Sequence, residues 1–374
     1  MNFEEHAAKP LLAAHGIPVP GGRVASTPEE AAHAAAELGA VVVKAQVPTG
    51  KRGKAGGIKT ADSDGEAKVA AQAILGMEIA GHRVEKVLIE QRAAIARELY
   101  AAVLNDSVSK GPVVMFSTQG GMDIEEVAEK DPASVRRAEV DIRKGFDLSA
   151  ADDLLDGLDL GAAAGDVATT LVKLYEAYRA YDAELLEINP LVITVDGGIV
   201  ALDCKFVMDD SAIVRQPETA PAGTPDKLTA LEKKGKEQSL KFIELDGDVA
   251  VLANGAGLTM TTMDVVRHFG GAPANFLEIG GESYTLAKPA LELVLANPRV
   301  KSLVVNFCGA FARTDVMTEG VINAWEELKP DLPVFFSIHG TGDVEAVAML
   351  KDRLNMDPYA TMDDASKAAV EAAK

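Results

Sequence analysis

At 374 residues, with 48% hydrophobic and 25% charged side chains, the chain suits two or three globular cores and not a disordered tail. A formal net charge of −20 argues against a nucleic-acid binder and against electrostatic docking on an anionic membrane, since both need a basic face. Two cysteines, Cys204 and Cys308, outside any CxxC or Cys/His cluster, exclude a disulfide framework and argue against zinc.

Phe3 to Ala14 reads as a short amphipathic helix closed by His15-Gly16 and the Pro18, Pro20 pair. Its layout is not that of a signal peptide, and no apolar run reaches membrane-spanning length, so a cytoplasmic protein is expected. Thr27-Pro28-Glu29-Glu30 starts a second helix, with proline at its first position and acids in its first turn, and Gly39 ends it. Val41-Val42-Val43 is a strand, followed by a Gly/Lys/Arg loop to Gly57, a helix over about residues 64–75 and a strand over 86–90. This alternation predicts a small mixed subdomain over about residues 20–100. Strands follow at 99–104 and 113–116, then polar, helix-rich sequence to Tyr181.

Leu185 to Ile193 and Ile199 to Lys205 form a hairpin around Val195-Asp196-Gly197-Gly198. The Pro/Ala/Lys/Glu-rich stretch 217–236 is a connection containing a helix, giving domains 1–236 and 237–374. Beyond it, short apolar strands at 249–252, 274–277, 302–307 and 334–338 alternate with helical segments, the signature of a doubly wound parallel sheet. Its ligand site is expected at the carboxyl ends of the strands, where Asn254-Gly255-Ala256-Gly257, Gly280-Gly281 and Cys308-Gly309-Ala310 fall.

Four constellations can carry chemistry. A strand-borne Lys44 followed by Gly50-Lys51-Arg52-Gly53-Lys54-Ala55-Gly56-Gly57 is physically a phosphate clamp, although a solvated basic loop has the same composition. It is no Walker A loop, because GxxxxGK[ST] does not occur. Glu90, at a strand end, and Glu98 can accept from a ribose hydroxyl or an adenine amino group; either one alone is equally a surface acid. In the hairpin, Glu187 and Asn189 share a face, and Asp203 joins them if the connection has an odd number of residues, such as three centred on Asp196. Two carboxylates and an amide then make an oxygen-only site suited to Mg²⁺ carrying nucleotide phosphates. Asn254-Gly255-Ala256-Gly257-Leu258-Thr259 opens a helix whose N-terminus suits an anion, but the spacing is not GxGxxG and a plain tight turn fits as well. The six histidines form no metal or triad pattern; His339, beside Gly340, reads as a hydrogen-bonding residue.

These segments, above all Leu185-Leu186-Glu187-Ile188-Asn189-Pro190-Leu191-Val192-Ile193-Thr194 and Ala253-Asn254-Gly255-Ala256-Gly257-Leu258-Thr259-Met260-Thr261-Thr262-Met263-Asp264, resemble the succinyl-CoA synthetase (succinate–CoA ligase) beta-subunit family, in order over nearly the whole chain. The resemblance implies an α/β protein: an N-terminal ATP-grasp fold followed by a flavodoxin-like doubly wound CoA-ligase domain. It implies an ADP-forming acid–CoA ligase with ATP and CoA as substrates and Mg²⁺ as cofactor. By it, Lys44, Lys51, Arg52, Gly53, Glu90, Ala93 and Glu98 fall at nucleotide-binding positions, and Asn189 and Asp203 on the Mg²⁺ ligands. Glu187 matches the acid that meets a phosphohistidine carried by an alpha subunit, and Asn254 with Ala310, Phe311 and Ala312 lines the carboxylate site. An alpha partner bearing the histidine and the CoA site is therefore expected, with a small carboxylate as substrate. The chain departs from the family at Pro48-Thr49-Gly50-Lys51, at Cys308 to Ala312 and at Phe336 to Thr341. These departures keep malate, a sulfonated acid or another short carboxylate open beside succinate, and a non-catalytic nucleotide- and CoA-binding subunit open beside an enzyme.

Overall fold

The computed structural model of the chain describes residues 1–225, 227–280 and 286–374. Gly281, expected in a strand-end loop, lies outside them. Two compact units form, Met1–Asp226 and Lys227–Lys374. Among the described residues no helix is long and apolar enough to cross a membrane.

The first unit holds two main antiparallel sheets, besides a two-stranded ribbon of Glu78–Ile79 and His82–Arg83. In the smaller, the strands run Gly22–Ala25, Lys86–Gln91, Val41–Gln46, Ile58–Ala61 across the sheet. Period two sends Val41, Val43, Ala45, Val87 and Ile89 into a core with the alanine-rich helices Pro28–Leu38 and Asp64–Ile74. Val42, Lys44 and Glu90 face the other way, into a cleft. Both helices start as the sequence predicts, with Thr27 and Ser63 side chains accepting from Glu30 and Glu66 N–H.

The larger sheet is ordered Asn2–Phe3, Lys205–Met208, Ala183–Thr194, Ile95–Asp106, Gly111–Ser117, Val135–Glu139, with Ile199–Ala201 also paired to the long strand. Leu99, Ala101, Val103, Leu186 and Ile188 pack into a core with Leu171, Leu174 and Tyr175 of the helix Ala164–Ala180. Tyr100 and Glu187, between these positions, face the opposite side and hydrogen-bond each other. The strand Val135–Glu139 falls in the stretch expected to be helix-rich; it is an edge strand, whose Arg136 and Arg137 need only one side covered.

The second unit opens with the helix Ala230–Glu237, held by a Thr229/Glu232 capping box. Its sheet runs Lys241–Glu244, Asn275–Glu278, Val249–Ala253, Ser302–Gly309, Val334–Gly340, parallel except for the first strand. Val249 and Val251 face the helices Ala256–His268 and Met362–Ala373; Ala250 and Leu252 face Ala287–Ala296, Thr314–Leu328 and Asp343–Leu354. Helices cover both faces, so the doubly wound expectation is met, with an antiparallel edge strand added. The order reverses between Val249–Ala253 and Ser302–Gly309, the place where such sheets bind ligands.

Candidate functional site

The hairpin register settles where the polar residues of the ribbon point. Ile193 pairs with Ile199 and Leu191 with Ala201, while further along Glu187 pairs with Lys205. The connection is the three-residue Val195-Asp196-Gly197, closed by Thr194 N–H to Gly198 O (2.8 Å) and Gly197 N–H to Thr194 O (2.9 Å). The same register sets Asn189 across from Asp203, beside the Glu187–Lys205 pair. All four line one cavity of about 450 Å³.

The opposite wall comes from the small sheet and its loop: Lys44, Lys51, Arg52, Gly53, Glu90 and Ala93 line the same cavity. Nine residues predicted from three separate stretches therefore meet in one cleft. Glu98 is not among its lining residues; it is exposed and lies against Gly121, where an added Cβ would meet its Oε2 at 2.2 Å.

A buried ionic network underlies the cleft. Lys44 Nζ lies 2.9 Å from Glu5 Oε1, contacts Glu90 and donates to Leu202 O. Lys9 contacts both Glu5 and Glu90 and donates to Leu202 O at 2.8 Å. Arg52 spans Glu5 Oε2 (2.8 Å), Ala45 O (2.9 Å) and Asp203 Oδ1 (2.6 Å). Glu5, Lys9, Lys44, Arg52 and Glu90 are each no more than 6% exposed, and with Asp203 they balance three cations against three carboxylates. Burial works against the charge of Lys44 and Arg52, but Glu5 and Glu90 beside the lysine and Asp203 and Glu5 beside the arginine outweigh it, so both stay firmly protonated. Burial likewise opposes charge on Glu5; Lys44, Arg52 and Lys9 hold its carboxyl well below the usual 4.5.

Sequence reasoning missed Glu5 and Lys9. Their signal was present: with Ala8 and Leu12 they form the inward stripe of the first helix, at positions that ordinarily carry apolar residues.

The basic loop closes on the acidic start of the helix Ile124–Lys130. Lys51 Nζ is 2.9 Å from Asp123 Oδ2, and Lys54 Nζ is 3.0 Å from Glu126 Oε1. Both lysines are solvent-exposed, so these pairs are weakly held and exchangeable.

Among the described residues no group of three His, Cys, Asp or Glu side chains could hold a metal. The chain does offer two oxygen ligands. Asn189 is fixed by donating to Met122 O (2.9 Å) and accepting from Gly121 N–H (2.8 Å), which leaves Oδ1 a second lone pair. Asp203 Oδ1 takes Arg52 and the Cys204 N–H, whereas Oδ2 takes no hydrogen bond among the described residues. A pair of hard oxygens fits Mg²⁺, which is usually held by one or two side chains plus substrate phosphates, and does not fit a resident metal cage. Glu187 is largely buried, which raises its carboxyl above the usual 4.5; Lys205 and the Tyr100 hydroxyl partly offset that, while Asp203 adds to it.

In the second unit Asn254 follows the strand Val249–Ala253 and exchanges two hydrogen bonds with Cys308, donating to its carbonyl (2.8 Å) and accepting from its N–H (2.7 Å). Ala310, Phe311 and Ala312 follow the adjacent strand, so all four flank the point where strand order reverses. Phe311 is fully exposed and His339 is exposed at the next strand end.

The ATP-grasp domain family model matches residues 2–193 and the CoA-ligase family model residues 252–374. The GDP-forming succinate–CoA ligase subunit beta of Thermus thermophilus is 44% identical over 372 residues, covering 99% of this chain and 98% of that one. The ADP-forming succinate–CoA ligase subunit beta of Rubrobacter xylanophilus is 44% identical over 380 residues, covering 100% and 99%. Among solved structures, ATP citrate lyase from Methanothrix soehngenii in complex with citrate and coenzyme A shares the fold, with a TM-score of 0.73 at 22% identity over 99% of each chain. By full-length identity and domain order, this chain belongs to the succinate–CoA ligase beta-subunit family, an ATP-grasp domain followed by a CoA-ligase domain.

Proposed function

We propose that the chain is the nucleotide-binding beta subunit of an ADP-forming succinate–CoA ligase, working with an alpha subunit in the cytoplasm. The observation that carries this reading is the single cleft in which Lys44, Lys51, Arg52, Gly53, Glu90 and Ala93 face Glu187, Asn189 and Asp203. In it, Lys44 and Arg52 neutralise the triphosphate, the Gly50–Gly57 loop closes over it, and Glu90 and Ala93 meet the nucleoside. Asn189 and Asp203 hold the Mg²⁺, which when bound draws charge from the phosphate oxygens. Glu98 borders this wall against Gly121. Glu187 receives the imidazole of a histidine on the alpha subunit and holds its ring for phosphorylation. The phosphoryl group then passes to succinate and CoA displaces it, with Asn254 and Ala310 to Ala312 positioning the carboxylate. The functional division falls within the connection 217–236, the nucleotide half before it and the CoA-ligase half after it.

The test is to purify the chain with its alpha partner and measure CoA-dependent ADP or GDP release with succinate, malate and a short sulfonated acid. Succinate with ATP should give the highest kcat/KM; relatives of equal identity are named for either nucleotide product, so GTP is the required comparison. Release with malate alone would move the substrate assignment. Mg-ATP binding without turnover of any acid would leave a silent binding subunit.

A further inference from the structure

Six cations line the 450 Å³ cleft: Lys44, Lys51, Arg52, Lys54, Arg92 and Lys205. Five are committed to carboxylates, Lys44 and Arg52 in the buried network, Lys51 to Asp123, Lys54 to Glu126 and Arg92 to Asp62. Among the described residues the ammonium of Lys205 alone of the six has no hydrogen bond or ion pair, although its strand partner across the ribbon is Glu187. A second recess of about 110 Å³ adjoins the cleft, and Lys51, Arg52, Glu187, Asn189, Asp203 and Lys205 line both, Lys51 with its ammonium already paired to Asp123. Lys205 thus stands at the junction of the two spaces, one register step from the paired metal-ligand candidates.

We propose that Lys205 is a further catalytic residue, whose ammonium meets the phosphoryl group as it leaves the nucleotide; this rests on the phosphoryl-transfer reading above. In that step the bond between the γ-phosphorus and the oxygen bridging to the β-phosphate breaks, and its electron pair departs with ADP. A nitrogen lone pair of the partner's imidazole forms the new P–N bond, and the other ring nitrogen passes its proton to the Glu187 carboxylate proposed to hold that ring, so the ring returns to neutrality. The three equatorial oxygens stay anionic throughout and draw away from the charges fixed around the nucleotide. An ammonium held by no hydrogen bond or ion pair among the described residues, on a mobile four-carbon stem, can follow them from cleft to recess. Lys44 and Arg52 cannot, because each is bonded at several points to buried groups.

The experiment uses the assembled alpha–beta enzyme with Lys205→Met and Lys205→Arg, measuring single-turnover transfer of γ-labelled phosphate to the partner subunit and, separately, Mg-ATP affinity. Loss of one electrostatic donor predicts a rate about 100-fold lower in Lys205→Met, with Mg-ATP affinity within about threefold of the parent and most of the rate restored by arginine. A Lys205→Met rate within about twofold of the parent would overturn the role, and so would a rate loss matched by an equal loss of Mg-ATP affinity. A parent enzyme that transfers no label would instead sink the phosphoryl-transfer reading on which the role stands.

Discussion

Arg52 donates from Nη2 to Asp203 Oδ1 at 2.6 Å, joining the loop of the small sheet to the ribbon that faces it. The same guanidinium also reaches Glu5 and the Ala45 carbonyl, so the loop arginine is a buried fork between two walls of the cleft. Arg52→Met should therefore leave buried carboxylates short of charge and cost about 3–5 kcal/mol. Arg52→Lys should recover only part of that, because an ammonium cannot reproduce the fork. Denaturant unfolding of the first unit checks both; a cost below about 1 kcal/mol for methionine would mean the fork is idle.

Asp203 presents two unlike oxygens: Oδ1 accepts from Arg52 and the Cys204 N–H, and Oδ2 is the one proposed to meet the metal. Asp203→Asn keeps an acceptor for Arg52 and Cys204 N–H but removes the charge at the free Oδ2. The fold should persist while Mg-ATP affinity drops. A tenfold loss would take about 1.4 kcal/mol off ligand stabilisation at fixed Mg-ATP. Equal melting-temperature shifts with Mg-ATP in parent and variant would refute the metal assignment to Asp203.

What the sequence made legible was local. Thr194 and Gly198 close a three-residue turn, and an odd connection plus period two brings Asn189, Asp203 and Glu187 to one face. Lys44 and Arg52 were readable as a strand-and-loop clamp for the same reason. Glu5 and Lys9 were not, because a helix pattern tells which face is inward but not what it meets; their partners Glu90 and Leu202 come from remote strands. The edge strand Val135–Glu139 escaped because one exposed side lets it stay polar. Lys241–Glu244 is likewise an edge, with Phe242 buried and Ile243 exposed.

Glu5 gives the network a pH signature. Its folded-state carboxyl titrates well below 4.5, against burial, because Lys44, Arg52 and Lys9 surround it. A depressed carboxylate stabilises the fold above its unfolded value, and that contribution is lost as pH falls through the folded one. Parent and Glu5→Gln should therefore differ most near neutral pH, with the parent more stable, and the gap should narrow steadily as pH falls below the usual carboxylate range. Unfolding midpoints at neutral and acid pH measure this; a gap that widens on acidification would contradict the assigned sign.

Gly121 connects the last of the predicted acids to the ribbon. Its φ of +72° disfavours any side chain, and a Cβ there would meet Glu98 Oε2 at 2.2 Å. Its N–H also donates to Asn189 Oδ1, so a shift at residue 121 is felt by the amide proposed to hold the metal. Gly121→Ala should cost about 1–3 kcal/mol from the left-handed backbone alone and weaken Mg-ATP binding through displacement of Asn189. Adding Glu98→Ala removes the steric collision but not the backbone cost. If Glu98 only fills space against Gly121, the double variant should bind Mg-ATP better than Gly121→Ala while remaining less stable than the parent. If Glu98 itself contacts the nucleotide, the double variant should bind worse than either single change. Titration of the four proteins with Mg-ATP separates the two, and a Gly121→Ala protein that binds like the parent would show that the Gly121–Asn189 hydrogen bond has no part in holding the nucleotide.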